Sequence, residues 1–499
     1  MRLSELVGLS APRGAASPPL ASDPEIAGIT ADSRAVRPGW LFTALPGGRV
    51  DGARFAAQAA ASGAVAVLAS TTATLDGVPA GVAVVRDAEP RRRLARMAAV
   101  FAGAQPEVVV AVTGTSGKTS TVEFARQIFE VAGLRAASLG TLGVVSPALA
   151  SPPGLTTPDP VALHQTLAAL ARAGVSRAAV EASSHGLDQF RLDGIRFTAA
   201  AFTNLSRDHL DYHPDMAAYL AAKARLFSEL LPEGATAVLN ADSPETAALL
   251  EICRRRGLPV WRYGAAGDAL RLRASRPRGA GQVLDVEIFG RRHEVDLPLI
   301  GAFMAGNALA ALGLAVAGGV TADVATAALS RLTGAPGRLE RVATHPLGAA
   351  VLVDYAHKPD ALEKMLEALR PHVRGRLIVV FGCGGDRDAG KRPIMGAIAA
   401  RLADAAFVTD DNPRGEDAAA IRAAIMAGVP VGAAHVVDIA QGRRAAIAAG
   451  LEAARSADDV VVVAGKGHER GQTIGGVTLP FDDAAVAREL ASGARGAAA

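Results

Sequence analysis

Apolar and polar residues fall in blocks of two lengths along this chain. Short, nearly unbroken apolar runs occupy positions 39–45, 64–68, 108–113, 178–181, 199–203, 235–240, 350–354, 377–381, 405–409 and 459–464. Runs this brief, rich in valine and alanine and bounded by glycine, proline or polar residues, predict buried strands. Longer alanine-rich stretches between them predict helices, among them one from about Thr119 to Ala132 and one from Met216 to Leu231. Strand–helix alternation on this scale predicts an α/β protein built on doubly wound, mostly parallel sheets. Leu297–Ala322 carries no charge and is long enough to cross a bilayer. Its Pro298, Asn307 and scattered glycines, and its alanine-rich character, predict a buried helix instead.

Two breaker clusters divide the pattern. Gln105-Pro106 precedes the 108–113 run, and Gly334-Ala-Pro-Gly337 precedes the last series of strands. The expected domains are therefore 1–106, 107–334 and 335–499, in line with the size of a 499-residue chain. The last would be a Rossmann-like α/β domain, and its suspicious polar residues all follow strands: Asp354-Tyr-Ala-His357, Gly382–Arg387, Asp410–Arg414 and Gly465–Glu469.

Composition narrows the partners. The net charge of +3 is too small for this length to favour nucleic acid or an anionic membrane. Cys253 and Cys383 have no paired spacing, which fits a reducing compartment and argues against a structural zinc site. The first residues lack the apolar core of a signal peptide, so a cytoplasmic protein without membrane insertion is expected.

The sharpest chemistry sits at Gly114-Thr-Ser-Gly-Lys-Thr-Ser120, directly after an apolar strand. Backbone N–H groups at a glycine turn and helix start can wrap phosphate oxygens; Lys118 would neutralise the β/γ charge and Thr119 would reach Mg²⁺. The usual loop has a glycine or alanine five residues before its second glycine, where this chain has Val112, so this is the shorter Gly-x-x-Gly-Lys-Thr form. Glu181 ends another run; a carboxylate there is either a Mg²⁺ ligand beside the phosphate loop or a loop carboxylate. Thr203-Asn-Leu-Ser-Arg-Asp-His-Leu-Asp-Tyr-His213 follows a third run, with Lys223 ten residues on; read alone, Lys223 is a solvated surface lysine.

Taken together, these motifs resemble the Mur ligase family in order and spacing: Gly114–Ser120, Glu181-Ala-Ser-Ser-His185, Thr203–His213 with Lys223, Pro336-Gly-Arg338 and Asp354–His357. The resemblance covers essentially the whole chain and is strongest to the tripeptide-forming members. It implies an ATP- and Mg²⁺-dependent ligase of peptidoglycan precursor synthesis, a monomer acting on small molecules. It also implies that Lys223 is carbamylated, turning a cation into a carboxylate-like Mg²⁺ ligand. By the same match Thr119, Glu181 and His209 complete the metal and phosphate surroundings, and Asn307, Arg338 and Asp354 lie around the nucleotide. Positions matching those for a UDP-linked muramoyl dipeptide are Ser33, Gly48, Arg49, Val50, Thr156, Thr157, Ser183, Gln189 and Arg191. These hydroxyls, amides and arginines suit phosphate, sugar and carboxylate groups. Met304, Lys358, Ser116 and Ala182 depart from the residues usual beside these motifs, which bears on adenine and loop packing rather than on the reaction.

Asp411-Asn412-Pro413-Arg414 bears on the amino acid that is added. Within the family this form resembles the enzymes that add meso-diaminopimelate, with Arg387, Gly465 and Glu469 matching the remaining contacts. Diaminopimelate carries a second carboxylate that lysine lacks, and arginine grips a carboxylate bidentately. The implied reaction joins meso-diaminopimelate to a D-glutamate γ-carboxylate through an acyl phosphate. The alternatives are a lysine-adding ligase, a folylpolyglutamate synthase-like ligase and a nucleotide-dependent switch with no acceptor.

Overall fold

The computed structural model describes residues 1–11, 20–47, 50–279 and 281–493. Gly48 and Arg49 lie outside the described residues. The chain has a three-domain architecture of mixed α/β sheets, and its contacts gather into two compact bodies. One comprises Met1–Asp268 with Ala310–Ala325, the other Ala269–Leu309 with Thr326–Ala499.

The first body holds two sheets. Gly28–Thr30, Trp40–Ala44, Ala64–Ser70 and Ala83–Asp87 form a parallel four-stranded sheet in that order. The helix Leu3–Leu9 and the helix Pro90–Ala102 bury Leu3, Leu6, Leu94 and Met97 against Ile29, Leu41 and Leu68. The second sheet runs, within this body, in the order Val260–Gly264, Thr236–Asn240, Ala199–Phe202, Val108–Thr113, Arg177–Glu181, Ala136–Gly140 and Gly143–Val145. All neighbours are parallel except the last pair. Burial on both faces explains the unbroken apolar runs, since Val109 to Val112 and Ala199 to Phe202 are fully buried. The chain steps one way from Val108–Thr113 and then the other, so the topological switch lies between that strand and Ala199–Phe202. Ligands of such sheets bind outside the carboxyl ends at this point.

In the second body Leu270–Arg278, Gly281–Ile288 and Arg291–Leu297 form an antiparallel meander. A six-stranded sheet follows in the order Glu340–Thr344, Ala350–Asp354, Val460–Ala464, Leu377–Cys383, Ala405–Asp410 and Val436–Asp438. Its first pair is antiparallel and the rest parallel. Here Val460–Ala464 inserts between earlier strands, which makes a second switch point.

Three local expectations change. The uncharged stretch 297–322 is helical over Ala302–Ala317. Leu297 ends a strand, Pro298 cannot continue the ladder, and Gly318-Gly319 closes the helix with φ +97° at Gly319. The helix expected over Met216–Leu231 is α-helical to Arg225 and then widens into a π turn, Leu226–Leu230. The meander was missed because its outward positions carry arginine and glutamate, so no apolar run marks it. No helix among the described residues is long and apolar enough to cross a membrane.

Candidate active site

The phosphate loop leaves the buried strand Val108–Thr113 and enters the helix Lys118–Val131. Gly114 adopts φ +145°, and a Cβ there would fall 1.9 Å from the Thr203 hydroxyl, so only glycine fits. Gly117, with φ +86°, supplies the left-handed residue before the helix. The loop is held from the other side of the switch point. Thr115 N–H donates to Asn204 O (2.9 Å), Ser116 N–H to Asn204 Oδ1 (3.0 Å), and the Thr203 hydroxyl to Ser116 O (2.6 Å). Thr119 and Ser120 are buried in the first helical turn.

Two lysine amines meet on one carbonyl. Lys118 Nζ donates to Gly114 O and Thr115 O, both at 2.9 Å, and Lys223 Nζ donates to Gly114 O at 2.8 Å. Lys223 is 1% exposed rather than the solvated lysine that its sequence surroundings suggest. Burial, and then the neighbouring Lys118 charge, push its pKa well below the ordinary lysine value. The Tyr219 ring lies 4.3 Å from Lys223 Nζ, and its hydroxyl is 3.2 Å from Thr115 Oγ1. Sequence reasoning missed Tyr219, yet the signal was there: it stands one helical turn before Lys223, on the same face.

Glu181, paired with Val112 across the sheet, is also buried. Its carboxylate accepts the Thr141 N–H (2.8 Å) and the Thr141 hydroxyl (3.2 Å). Thr141 was the second missed residue; its hydroxyl reaches Thr156 Oγ1 at 3.2 Å. His209 stands in a left-handed turn, φ +53°, with its ring 4.9 Å from that of His185 and its Nε2 3.5 Å from the Asp208 carboxylate. Among the described residues no group of three or more His, Cys, Asp and Glu could hold a metal ion by itself.

The structure brings Thr157, Ser183, Gln189 and Arg191, among the residues expected at the dipeptide, into one network. Ser183 caps the short helix Ser184–Asp188, and its hydroxyl donates to Thr157 Oγ1 at 3.0 Å. Thr157 in turn donates to Glu181 O at 2.8 Å. Arg191 donates to Thr157 O (2.7 Å) and to Gln189 Oε1 (2.6 Å), and Gln189 donates to the Tyr212 hydroxyl (3.1 Å). Ser33, in the turn Ser33–Ala35, and the exposed Val50 lie outside this network. Beside Ser33, the Arg34 guanidinium holds the Asp32 carboxyl down at about 2.

In the second body Asn307 is buried in the helix Ala302–Ala317. The Arg338 guanidinium stacks 4.7 Å over the Tyr355 ring, and its buried Nε has no hydrogen-bond partner among the described residues. Asp354, at the carboxyl end of its strand, accepts N–H groups from Leu339 and Ala356, both at 2.8 Å. Burial raises its pKa in spite of these bonds and the Arg338 charge.

The motif Asp411–Arg414 starts at the end of Ala405–Asp410, and Gly465–Glu469 starts at the end of the switch-point strand Val460–Ala464, one strand away across Leu377–Cys383. Arg414 is half-buried, with φ +54°. Its Nη1 donates to Gly385 O at 2.8 Å, and its backbone is pinned to the hairpin Gly471–Pro480 through Thr473 O (2.9 Å) and Gly475 N–H (2.7 Å). Arg387 projects from the adjoining loop and is exposed. Asn412 Nδ2 donates to Glu469 Oε2 at 3.0 Å, so the two loops meet directly. Gly465, at φ +119°, donates its N–H to Asp354 O and so ties this group to the strand carrying Asp354. Both loops also meet the fully buried Lys466, which the sequence reading passed over although it stands between Gly465 and Glu469.

Comparison with known proteins identifies the family. Residues 25–102 match the Mur ligase family catalytic domain, 112–315 the Mur ligase middle domain, and 337–467 the Mur ligase glutamate ligase domain. UDP-N-acetylmuramoyl-L-alanyl-D-glutamate–2,6-diaminopimelate ligase of Mesorhizobium japonicum is 53% identical over 97% of each chain. The protein of that name from Caulobacter vibrioides is 54% identical over 94% of this chain and 96% of its own. A solved structure of a ligase of the same name is 33% identical, covers 99% of both chains and superposes with a TM-score of 0.73. Folylpolyglutamate synthase of Mycobacterium tuberculosis, 22% identical with a TM-score of 0.61 over 75% of this chain and 91% of its own, shares the fold. On domain content, whole-length identity and superposition, the chain belongs to the Mur ligase family.

Proposed function

We propose that this chain is the ligase that joins meso-diaminopimelate to the D-glutamate γ-carboxylate of UDP-MurNAc-L-Ala-D-Glu, with ATP converted to ADP and phosphate. Its curated relatives at half identity over nearly full length carry that activity in their names. The single observation that carries the choice of amino acid is Arg414. It stands at a strand's carboxyl end, two residues after the Asn412 that bonds Glu469, so the two linked loops offer a guanidinium for a carboxylate and a carboxylate for an ammonium. The expected domain limits, 1–106, 107–334 and 335–499, assign the dipeptide, ATP and amino acid in turn.

The reaction runs in two displacements. The γ-carboxylate oxygen attacks the ATP γ-phosphorus; the β–γ bridge breaks, giving an acyl phosphate and ADP. The neutral amine at the L centre of diaminopimelate then attacks the acyl carbon, and phosphate leaves with the C–O electron pair and takes up the proton that the amine gives up. Catalysis is mostly positioning and charge neutralisation. The Gly114–Ser120 loop cradles phosphate, with Lys118 swinging from its own loop carbonyls onto the transferring group. Thr157, Ser183, Gln189 and Arg191 orient the acceptor, and Ser33, Gly48, Arg49, Val50 and Thr156 match its remaining contacts. Asn307, Arg338 and Asp354 serve the nucleotide.

Mg²⁺ suits this donor set, because it dehydrates reluctantly and takes one or two carboxylates plus substrate phosphates rather than a full protein cage. Thr119, Glu181 and a carbamate on Lys223 would hold it, with His209 beside them, and it would screen the charge between carboxylate and triphosphate. Lys223 is suited to carbamylation, since only a neutral amine attacks CO₂ and burial beside Lys118 favours the neutral form of this one. The carbamate keeps an N–H for Gly114 O. It also turns the repulsion between Lys223 and Lys118 into attraction.

ADP release measured with the UDP-muramoyl dipeptide and meso-diaminopimelate, lysine or no amino acid tests the reading. We expect release that depends on diaminopimelate. Release indifferent to the amino acid would end the ligase proposal, and a preference for lysine would end the argument from Arg414.

A further inference from the structure

We infer that Lys466 is a positioning residue for the amino acid: its buried ammonium fixes Asn412 and Glu469 so that one Glu469 oxygen stays open for the substrate's distal ammonium. The inference rests on the reading of Arg414 and Glu469 given above.

Lys466 has no exposed surface. A lysine is buried at high cost unless its charge and its N–H groups are met. Here they are met by the amino acid loops themselves. Nζ lies 3.0 Å from Asn412 Oδ1, 3.3 Å from Glu469 Oε2 and 3.6 Å from Asp411 Oδ1. Asn412 Oδ1 also accepts the Thr473 N–H at 2.9 Å, while Asn412 Nδ2 donates to Glu469 Oε2 at 3.0 Å. An ammonium and a backbone N–H both require an acceptor, so the Asn412 amide is held in one of its two orientations. Glu469 Oε2 is thereby committed twice. Its Oε1 has the Tyr355 hydroxyl at 3.5 Å, too long for a strong bond, and the side chain is 36% exposed.

Charge also ties the two loops to Lys466. Two carboxylates, Asp411 and Glu469, face this one ammonium, and Asp411 also lies in the fields of Lys391 and Arg443. Arg443 itself keeps both of its arms closed on the fully buried Asp483 at 2.6 and 2.7 Å. It also donates to Ala464 O (2.9 Å) and Asp410 O (3.3 Å), the residues immediately before the two loops. The loops therefore start from one anchor and close on one lysine. Without Lys466, Asp411 and Glu469 would repel each other and Asn412 could turn over.

The test uses the full-length enzyme with Lys466→Met, Lys466→Arg, Glu469→Gln and the Lys466→Met/Glu469→Gln double variant. KM for diaminopimelate, ATP and the UDP-muramoyl dipeptide is measured alongside the thermal midpoint. Lys466→Met should raise KM for diaminopimelate about tenfold or more, the scale of one lost charged hydrogen bond, and leave the other two within about twofold. Lys466→Arg should recover most of the loss. The double variant should be no worse than Glu469→Gln, because Lys466 acts through that carboxylate. If Lys466→Met does not fold, Lys466→Gln, neutral and still a donor, carries the test. An unchanged KM for diaminopimelate, a joint rise of all three constants, or penalties that multiply in the double variant would overturn the inference. Wild-type enzyme indifferent to diaminopimelate would instead overturn the functional reading beneath it.

Discussion

At the scale of single residues, Lys223 and Arg414 bear most of the chemical argument. Replacing Lys223 with alanine removes the anchor of the proposed carbamate. Activity should fall by at least about a hundredfold, the scale of a lost electrostatic group in a catalytic site, and short carboxylates added to the assay should restore part of it. Unchanged activity would count against the modification. Arg414→Lys keeps the charge but loses the fork. Its kcat/KM for diaminopimelate should drop by about ten- to a hundredfold, with KM for ATP unmoved. The sequence exposed these two unequally. Arg414 was legible because a strand, a turn and a guanidinium stand next to one another in the chain. The burial of Lys223 was not, because it depends on Tyr219 and on the Gly114 carbonyl, 109 positions away. Thr141 escaped for the same reason: its partner Glu181 is 40 positions on.

At the scale of elements, the helix bearing Lys223 is tied down by charge. Arg225, two residues on, is buried and chelates the Asp193 carboxylate at 2.6 and 2.7 Å. Arg92, from the helix Pro90–Ala102, reaches the same carboxylate at 2.9 Å. Asp193→Ala takes away the buried carboxylate that holds two arginines and leaves Arg225 only the partly exposed Glu229 as an ion-pair partner, so the unfolding free energy from urea titration should fall by about 3 kcal/mol. His164 packs beside this joint, 3% exposed, with its Nε2 donating to Asp193 O at 3.0 Å. Burial pushes its pKa down to about 4 from an ordinary 6.5. The unfolded chain therefore binds a proton that the folded chain refuses. Stability is complete above pH 6.5 and is lost as the pH falls toward 4, by on the order of 3 kcal/mol for this group. Urea midpoints across that range should decline less steeply in His164→Gln than in wild type. Parallel strands were easy to read at this scale because both faces are buried. The meander Leu270–Leu297 was not, because one face of it meets water.

At the scale of the molecule, the proposed reaction draws on groups in both bodies, from Gly114 in one to Arg414 in the other. A non-hydrolysable ATP analogue should slow amide exchange across residues 114–120 and also across 337–341. Slowing in the first stretch alone would remove Arg338 from the nucleotide. Periodicity says nothing about which sheets share a body; that is decided by packing between distant segments such as 92 and 193. The mutational routes away from the proposed amino acid preference are few, because position 414 holds a left-handed backbone fastened to a hairpin on both sides. Glycine or asparagine could inherit that conformation at little cost, whereas valine, isoleucine or threonine would strain it. A lineage leaving diaminopimelate behind would thus more readily erase the guanidinium than build a branched contact in its place, and relaxed selectivity would precede any new one.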